Sequence, residues 1–302
     1  AFWALCLAEG VAIPEAQAAL RQIGQIEPVA RLLSDPRPAV RIRSAQTLAA
    51  LQREETISPL VAALAVEWNQ QVIPALETAL YELESAPPPL LTVSLLGDFA
   101  VWRGEQPIPT DDWRRPAVRR LFQYFALHRG EPLPRDRILE DLWPDSDPER
   151  ARASFRTVFS WLRKVLEPYF RPKSPSRYFS VEGDLYTFDP QRNPLVARID
   201  SEEFAGVVSP LLHSVDDHIL PPLPEELLAA LARWQPLLPD ALYEVWTLEA
   251  RERLQDLYVQ GCLYVAQALL AHGRPAEAAP WAERSIHTAP WLDEAYQALM
   301  RA

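Results

Sequence analysis

The stretch Arg135-Asp136-Arg137-Ile138-Leu139-Glu140-Asp141-Leu142-Trp143-Pro144-Asp145-Ser146-Asp147-Pro148 is where the reading of this chain turns. It gives a short amphipathic segment, then a proline- and aspartate-rich break. Behind it comes a segment that carries Arg150, Arg152, Arg156, Arg163 and Lys164. Asp147 is placed as a helix N-cap and Pro148 as its first-turn proline, so the start of this second helix is well marked. Phe155, Val158, Phe159, Leu162, Val165 and Leu166 recur at 3.6-residue spacing and form its apolar face. That face is expected to pack on Ile138, Leu139, Leu142 and Trp143. Next comes Tyr178-Phe179-Ser180-Val181-Glu182-Gly183-Asp184-Leu185-Tyr186-Thr187-Phe188, two alternating runs about a glycine turn, which reads as a β-hairpin.

Short helix, tight turn, basic helix and hairpin together lay out a winged helix. A basic helix behind a short turn is shaped for the DNA major groove. On the side opposite the apolar face, helix 148–166 carries Arg150, Thr157, Ser160, Trp161 and Lys164, flanked by Ser154, Arg156 and Arg163. Arginine can reach guanine edges with two hydrogen bonds, and threonine can reach a base or a phosphate. Together with Lys173 and Arg177, which precede the hairpin, these are the candidate DNA-binding residues. An ordinary solvated helix also carries Arg and Lys, and that reading stands beside the first.

Charge supports a local reading over a global one. The 302 residues hold 30 Lys+Arg and 41 Asp+Glu, a net charge of −11. Residues 150–177 nevertheless contain eight basic residues against one acid, Glu167, whereas residues 131–149 contain seven acids and two arginines. Phosphate binding responds to the local field.

Residues 1–85 read as helices throughout, with apolar positions at helical spacing around Ala16-Ala18-Ala19-Leu20 and Val40-Ile42-Ala45-Leu48. Asp35-Pro36-Arg37-Pro38 reads as a helix start with an acidic cap. Residues 35–51, with residues 57–64 opening a next unit, resemble a HEAT repeat; an unrelated helical bundle is the alternative. The proline run at 86–90 is a stiff linker. Residues 91–96, 99–102 and 106–108 then switch to β-type composition, and a helix begins at Pro116 with Ala117, Leu121, Phe122, Phe125 and Ala126 on one face. A second boundary falls at 190–194, and from there the chain reads as helical to its end. Helices are expected over 223–234, 241–271 (as one or two), 275–288 and 292–302. Residues 259–292 follow the 34-residue tetratricopeptide frame, with Ala266 and Ala278 at close-packing positions and Cys262 where an aromatic is usual.

The ordered motifs resemble a known family. Leu95-Leu96-Gly97-Asp98-Phe99, Leu139-Glu140-Asp141-Leu142-Trp143-Pro144-Asp145, Arg150-Ala151-Arg152-Ala153-Ser154-Phe155-Arg156 and the hairpin are similar to the OmpR/PhoB-type winged helix over residues 91–190. With Ala197-Arg198-Ile199-Asp200-Ser201-Glu202-Glu203-Phe204, Leu237-Leu238-Pro239-Asp240 and residues 246–253, the chain over 91–302 resembles the SARP family of bacterial transcriptional activators (Streptomyces antibiotic regulatory proteins). The expected fold is mainly α with a small α+β winged helix: HEAT-like helices at 1–85, the winged helix-turn-helix at 91–190, and a truncated tetratricopeptide-like activator domain, an α-solenoid, at 195–302. The resemblance implies an activator that binds double-stranded DNA at promoter repeats and contacts RNA polymerase through the loop Trp143, Asp145 and Asp147. It also leaves open a homodimer through the C-terminal helices. Two departures stand out. The hairpin 179–184 holds no cation, and Trp161 sits where relatives often carry arginine. These favour the alternative of a protein-interaction scaffold whose winged helix meets protein instead of DNA.

Other chemistry finds no support in the residues. There is no phosphate loop, Gly-rich fingerprint, HExxH or nucleophile elbow, so no catalytic residue, metal ligand or cofactor is assigned and the chain is not read as an enzyme. His128, His213, His218, His272 and His287 are scattered and read as surface or helix-end residues. The acid pairs Glu202-Glu203, Asp216-Asp217 and Glu225-Glu226 read as solvated faces. Cys6 and Cys262 make no zinc spacing or disulfide framework, which points to a reducing cytoplasm; the resemblance implies a bacterial one and, for a DNA binder, the nucleoid. No apolar run reaches the roughly 18 residues of a membrane span. The sole methionine is Met300, so the chain reads as a piece of a longer regulator.

Overall fold

The structure, a computed structural model, describes residues 2–23, 26–171, 174–213 and 223–302. The chain divides into two compact units, Ala1–Pro88 with Arg163–Arg177, and Pro89–Leu162 with Tyr178–Ala302.

The first unit is helical: α1 (Phe2–Glu9), α2 (Ile13–Ile23), α3 (Glu27–Ala30), α4 (Pro38–Ala50), α5 (Ile57–Val66) and α6 (Val72–Ser85). Helix α4 packs on α1 and α6, and α5 packs on α6. Leu7, Ala16, Leu20, Val29, Leu48, Ile57, Leu60, Leu76 and Leu80 close one apolar core, with Tyr169 of the later segment against it. Proline opens α4 as expected, but Asp35 does not cap it. Arg37 occupies the cap position without a side-chain bond, and Asp35 Oδ1 instead accepts the Arg37 N–H at 2.9 Å. The two prolines set the chain direction there, so the carboxylate meets the N–H two residues on as a turn acceptor. Inside this unit Arg41 makes a paired contact with Glu67, at 2.7 Å and 3.0 Å.

The second unit begins with β1 (Leu91–Ser94), β2 (Ala100–Arg103) and β3 (Gln106–Pro107), followed by α7 (Pro116–Leu127), β4 (Leu133–Pro134), α8 (Arg135–Leu142) and α9 (Pro148–Leu166). The last residues of α9, from Arg163, belong to the first unit. The hairpin is β5 (Phe179–Glu182) and β6 (Leu185–Phe188), with β7 (Ala197–Ile199) beyond it. Strand β4 pairs with β6, giving the three-stranded sheet β4-β6-β5 behind α9. On α7, Leu121, Phe122, Phe125 and Ala126 are buried as expected; Val118 joins them, while Ala117 is half-buried.

The segment after residue 194 departs from expectation. Ala197–Ile199 is not helical; it lies parallel to β1, with Leu91 opposite Ala197, and completes a sheet of order β3-β2-β1-β7. Ala197 and Ile199 point into the core and Arg198 outward. Three alternating residues are too few to reveal a two-residue period, and only the open edge of β1 selects the extended form. The residues on either side of 190–194 share a sheet and a compact unit.

Helices α10 (Asp200–His213), α11 (Glu225–Ala232), α12 (Leu248–Ala271), α13 (Pro275–Thr288) and α14 (Asp293–Arg301) complete the fold. Residues 241–247, expected as helix, form short 3-10 turns instead. Leu238 is left-handed with φ +42° just before Pro239, and this reverses the chain before α12 can start. Ala266, Ala278 and Cys262 are fully buried where α12 meets α13. A Cβ on Gly261 would stand 2.9 Å from Leu231, so its absence lets α11 lie close against α12.

Candidate nucleic-acid interface

Helix α9 is positioned by aromatic packing beneath it. Phe155 is fully buried and stacks on Phe159, with ring centroids 5.8 Å apart; both meet Tyr186 of the hairpin edge-on. Phe125 of α7 and Phe179 of β5 close the same cluster. Trp143 is half-buried with its ring against Phe155, so of the three loop residues singled out, Asp145 and Asp147 are the exposed ones. Asp147 Oδ1 accepts the N–H groups of Glu149 and Arg150 at 3.0 and 3.3 Å, which satisfies two of the unpaired donors at the helix start.

The outward side of α9 presents Arg150, Ser154, Arg156, Thr157, Ser160, Trp161 and Lys164, all exposed. Arg150, Ser154, Thr157 and Trp161 follow at spacings of four, three and four, which puts them on one row. Thr157 Oγ1 donates back to Ala153 O at 3.0 Å, leaving its methyl and lone pairs outward. Arg152 is held by Glu149 at 2.8 Å.

Three further sequence candidates have different settings. Arg163 donates to Glu167 at 3.4 Å and to Ser174 O at 2.8 Å and is half-buried. Arg177 is engaged within the helical first unit, its guanidinium on Glu54 at 2.6 Å and on Ala86 O at 2.8 Å with only 10% of the side chain exposed. In this arrangement Arg177 does not present its charge to a nucleic acid, against the expectation from its position. A carboxylate far away in sequence takes it up, and no local pattern announces that. Lys173 lies outside the described residues. The neighbouring Arg171 is likewise paired, to Glu84 at 2.6 Å.

One cation that no local motif marks joins the α9 row. The guanidinium carbon of Arg115, just ahead of α7, lies 3.7 Å from the ring centroid of Trp161. The only local signal was the pair Arg114-Arg115 before a helix-opening proline, which says nothing of Trp161. Other α7 arginines turn elsewhere: Arg119 pairs with Asp240, and Arg120 donates to Glu244 at 3.2 Å and to Leu142 O at 2.9 Å.

Other chemistry is sparse. Among the described residues, no group of three or more His, Cys, Asp or Glu could hold a metal ion. Burial pushes the Cys262 thiol up to about 12, well away from the range of a reactive thiolate. His128, His213, His272 and His287 sit at helix ends, and His218 and the pair Asp216-Asp217 lie outside the described residues. No helix among the described residues is long and apolar enough to cross a membrane.

A winged helix, with a sheet in front of it that is completed by the strand leading into a helical array, is the architecture of residues 89–302. Residues 199–302 match the family model described as the bacterial transcriptional activator domain. The regulatory protein AfsR of Streptomyces coelicolor is 32% identical over 78 residues, covering 26% of this chain and 8% of that protein. The structure of Mycobacterium tuberculosis EmbR, in complex with a low-affinity phosphopeptide, shares the fold with a TM-score of 0.56 at 21% identity, over 70% of this chain and 53% of that one. The chain thus spans a small part of AfsR and about half of the EmbR chain. Residues 199–302 are thus similar to the bacterial transcriptional activator domain, and 78 residues of the chain are similar to a Streptomyces regulatory protein.

Proposed function

We propose that this chain binds double-stranded DNA through α9, inserted in the major groove, and acts as a transcriptional activator within a larger regulator. The observation that carries this is the exposed row Arg150, Ser154, Thr157 and Trp161, with Arg156 and Lys164 beside it, on a helix whose other face is anchored by Phe155 and Leu162. Arg150 and Arg156 are suited to guanine edges, Ser154, Thr157 and Ser160 to bases or phosphates. The acids Asp145 and Asp147, outside the row, suit a basic protein surface, and RNA polymerase is the partner that the family suggests. The helices of the first unit are read as HEAT-like, and α12–α14 offer the surface for a homodimer.

The test is fluorescence anisotropy of the chain with random and selected duplexes across a salt series. A preference for a selected sequence, with a log–log slope of about −0.9 per neutralised phosphate, supports the proposal. A chain that binds neither duplex at low salt is not a DNA reader. A second reading, a scaffold whose winged helix meets protein, is favoured by one feature: hairpin residues 179–188 carry no cation and expose Val181 and Leu185. Sedimentation of the chain alone tests the dimer.

A further inference from the structure

Helix α9 extends farther than the width of the groove it would enter. Its 19 residues extend about 28 Å at 1.5 Å per residue. The major groove is about 12 Å wide. Trp161 stands eleven residues beyond Arg150, about 16 Å along the axis. A recognition helix sets its N-terminal residues against base edges, so with Arg150 there Trp161 is expected near the phosphates at the edge of the groove. An indole there has no base to read, and its own N–H is a single donor without charge.

What Trp161 does carry is a cation. The Arg115 guanidinium sits over its ring at 3.7 Å, and both side chains are exposed, Trp161 to 38%. Attraction between a cation and the ring face holds the guanidinium in place while leaving its N–H donors available to an acceptor. Arg115 stands at the N-cap of α7, off the recognition helix, so the stack brings a second element to the same edge of the row. We infer that Arg115 is a phosphate-contacting cation of the DNA interface and that Trp161 is its positioning residue, not a base reader. This rests on the DNA-binding reading of α9. It also accounts for an aromatic residue in a cationic row: the charge at that point is supplied from α7.

The test is the salt dependence of duplex binding by the whole chain, with wild type, Arg115→Ala, Trp161→Phe, Trp161→Ala and the Arg115→Ala/Trp161→Ala double variant. Arg115→Ala should make the log–log slope shallower by about 0.9, which at 0.1 M salt is about an eight-fold loss of affinity. Trp161→Phe keeps a ring and should keep the wild-type slope. Trp161→Ala should lose slope as Arg115→Ala does, and the double variant should lose no more than either. A packing role alone would leave every slope at the wild-type value, and that result overturns the inference while wild-type binding stands. Loss of sequence preference in Trp161→Ala with an unchanged slope would make Trp161 a base reader and overturn it equally. Absence of wild-type binding at low salt would remove the DNA reading itself, and the inference with it.

Discussion

Arg129 and Asp189 form a buried ion pair at the end of the winged helix, with Arg129 Nη2 and Nε 2.6 and 2.8 Å from Asp189 Oδ2 and the side chains 6% and 3% exposed. The same guanidinium donates to Asn193 O at 2.9 Å and to Glu202 Oε2 at 2.7 Å. One arginine after α7 thereby ties the end of β6, the turn before β7 and the first turn of α10. Asp189→Ala leaves a buried guanidinium short of its main partner, and a loss of about 3–5 kcal/mol is expected. Urea unfolding measures it; a loss below about 1 kcal/mol would mean that Glu202 alone carries the arginine.

Acid should act on the first unit through Glu67. Hydrogen bonds from the Arg41 guanidinium hold its carboxyl below the usual carboxylate range. A depressed folded pKa means that the unfolded chain takes up the proton first. The stabilisation is therefore present above the unfolded value of about 4.3 and is lost as pH falls through the folded value. Glu67→Gln should be less stable at neutral pH and show a flatter stability profile below about pH 4.3. Parallel wild-type and variant profiles would reject the assignment.

The row on α9 and the cation beside the hairpin should separate cleanly. Arg156→Ala with Lys164→Ala is expected to weaken DNA binding by about 1–3 kcal/mol for each base edge that is no longer reached. Arg177→Ala should leave DNA affinity near wild type and instead destabilise the first unit, because its bonds to Glu54 and Ala86 disappear. If Arg177→Ala matched the double variant on DNA, the guanidinium would have to leave Glu54 on binding.

The two exposed aspartates ahead of α9 have different tasks. Asp147→Ala removes the bonds to the Glu149 and Arg150 N–H groups and should cost about 0.5–2 kcal/mol of stability. Asp145→Ala should leave stability and DNA affinity unchanged and lower transcription from a reconstituted promoter. Full activity in that assay would count against a polymerase contact at this loop.

Most of the secondary structure was legible. Pro148 with Asp147 marked the start of α9, and the spacing of Phe155, Phe159 and Leu162 marked its inner face, because both signals are local. Pro275 marked α13 the same way. Strand β7 was not legible, since Ala197–Ile199 is too short for its period to show and its partner, β1, lies over 100 residues earlier. The turns at 241–247 were missed because their apolar residues mimic helical spacing, while Leu238 and Pro239 reverse the chain. Of the proposed interface, the α9 row was legible and Arg115 was not.

The sequence by itself determined where helices start, which of their faces are apolar, and that basic charge is concentrated in residues 150–177, because caps, prolines and periodicity act within a few residues. Only the tertiary structure decided which of those charges face outward. Arg177 meets Glu54 from 123 residues away, and Arg115 comes to Trp161 from another helix. Electrostatic attraction depends on distance in space, and the fold alone sets that distance.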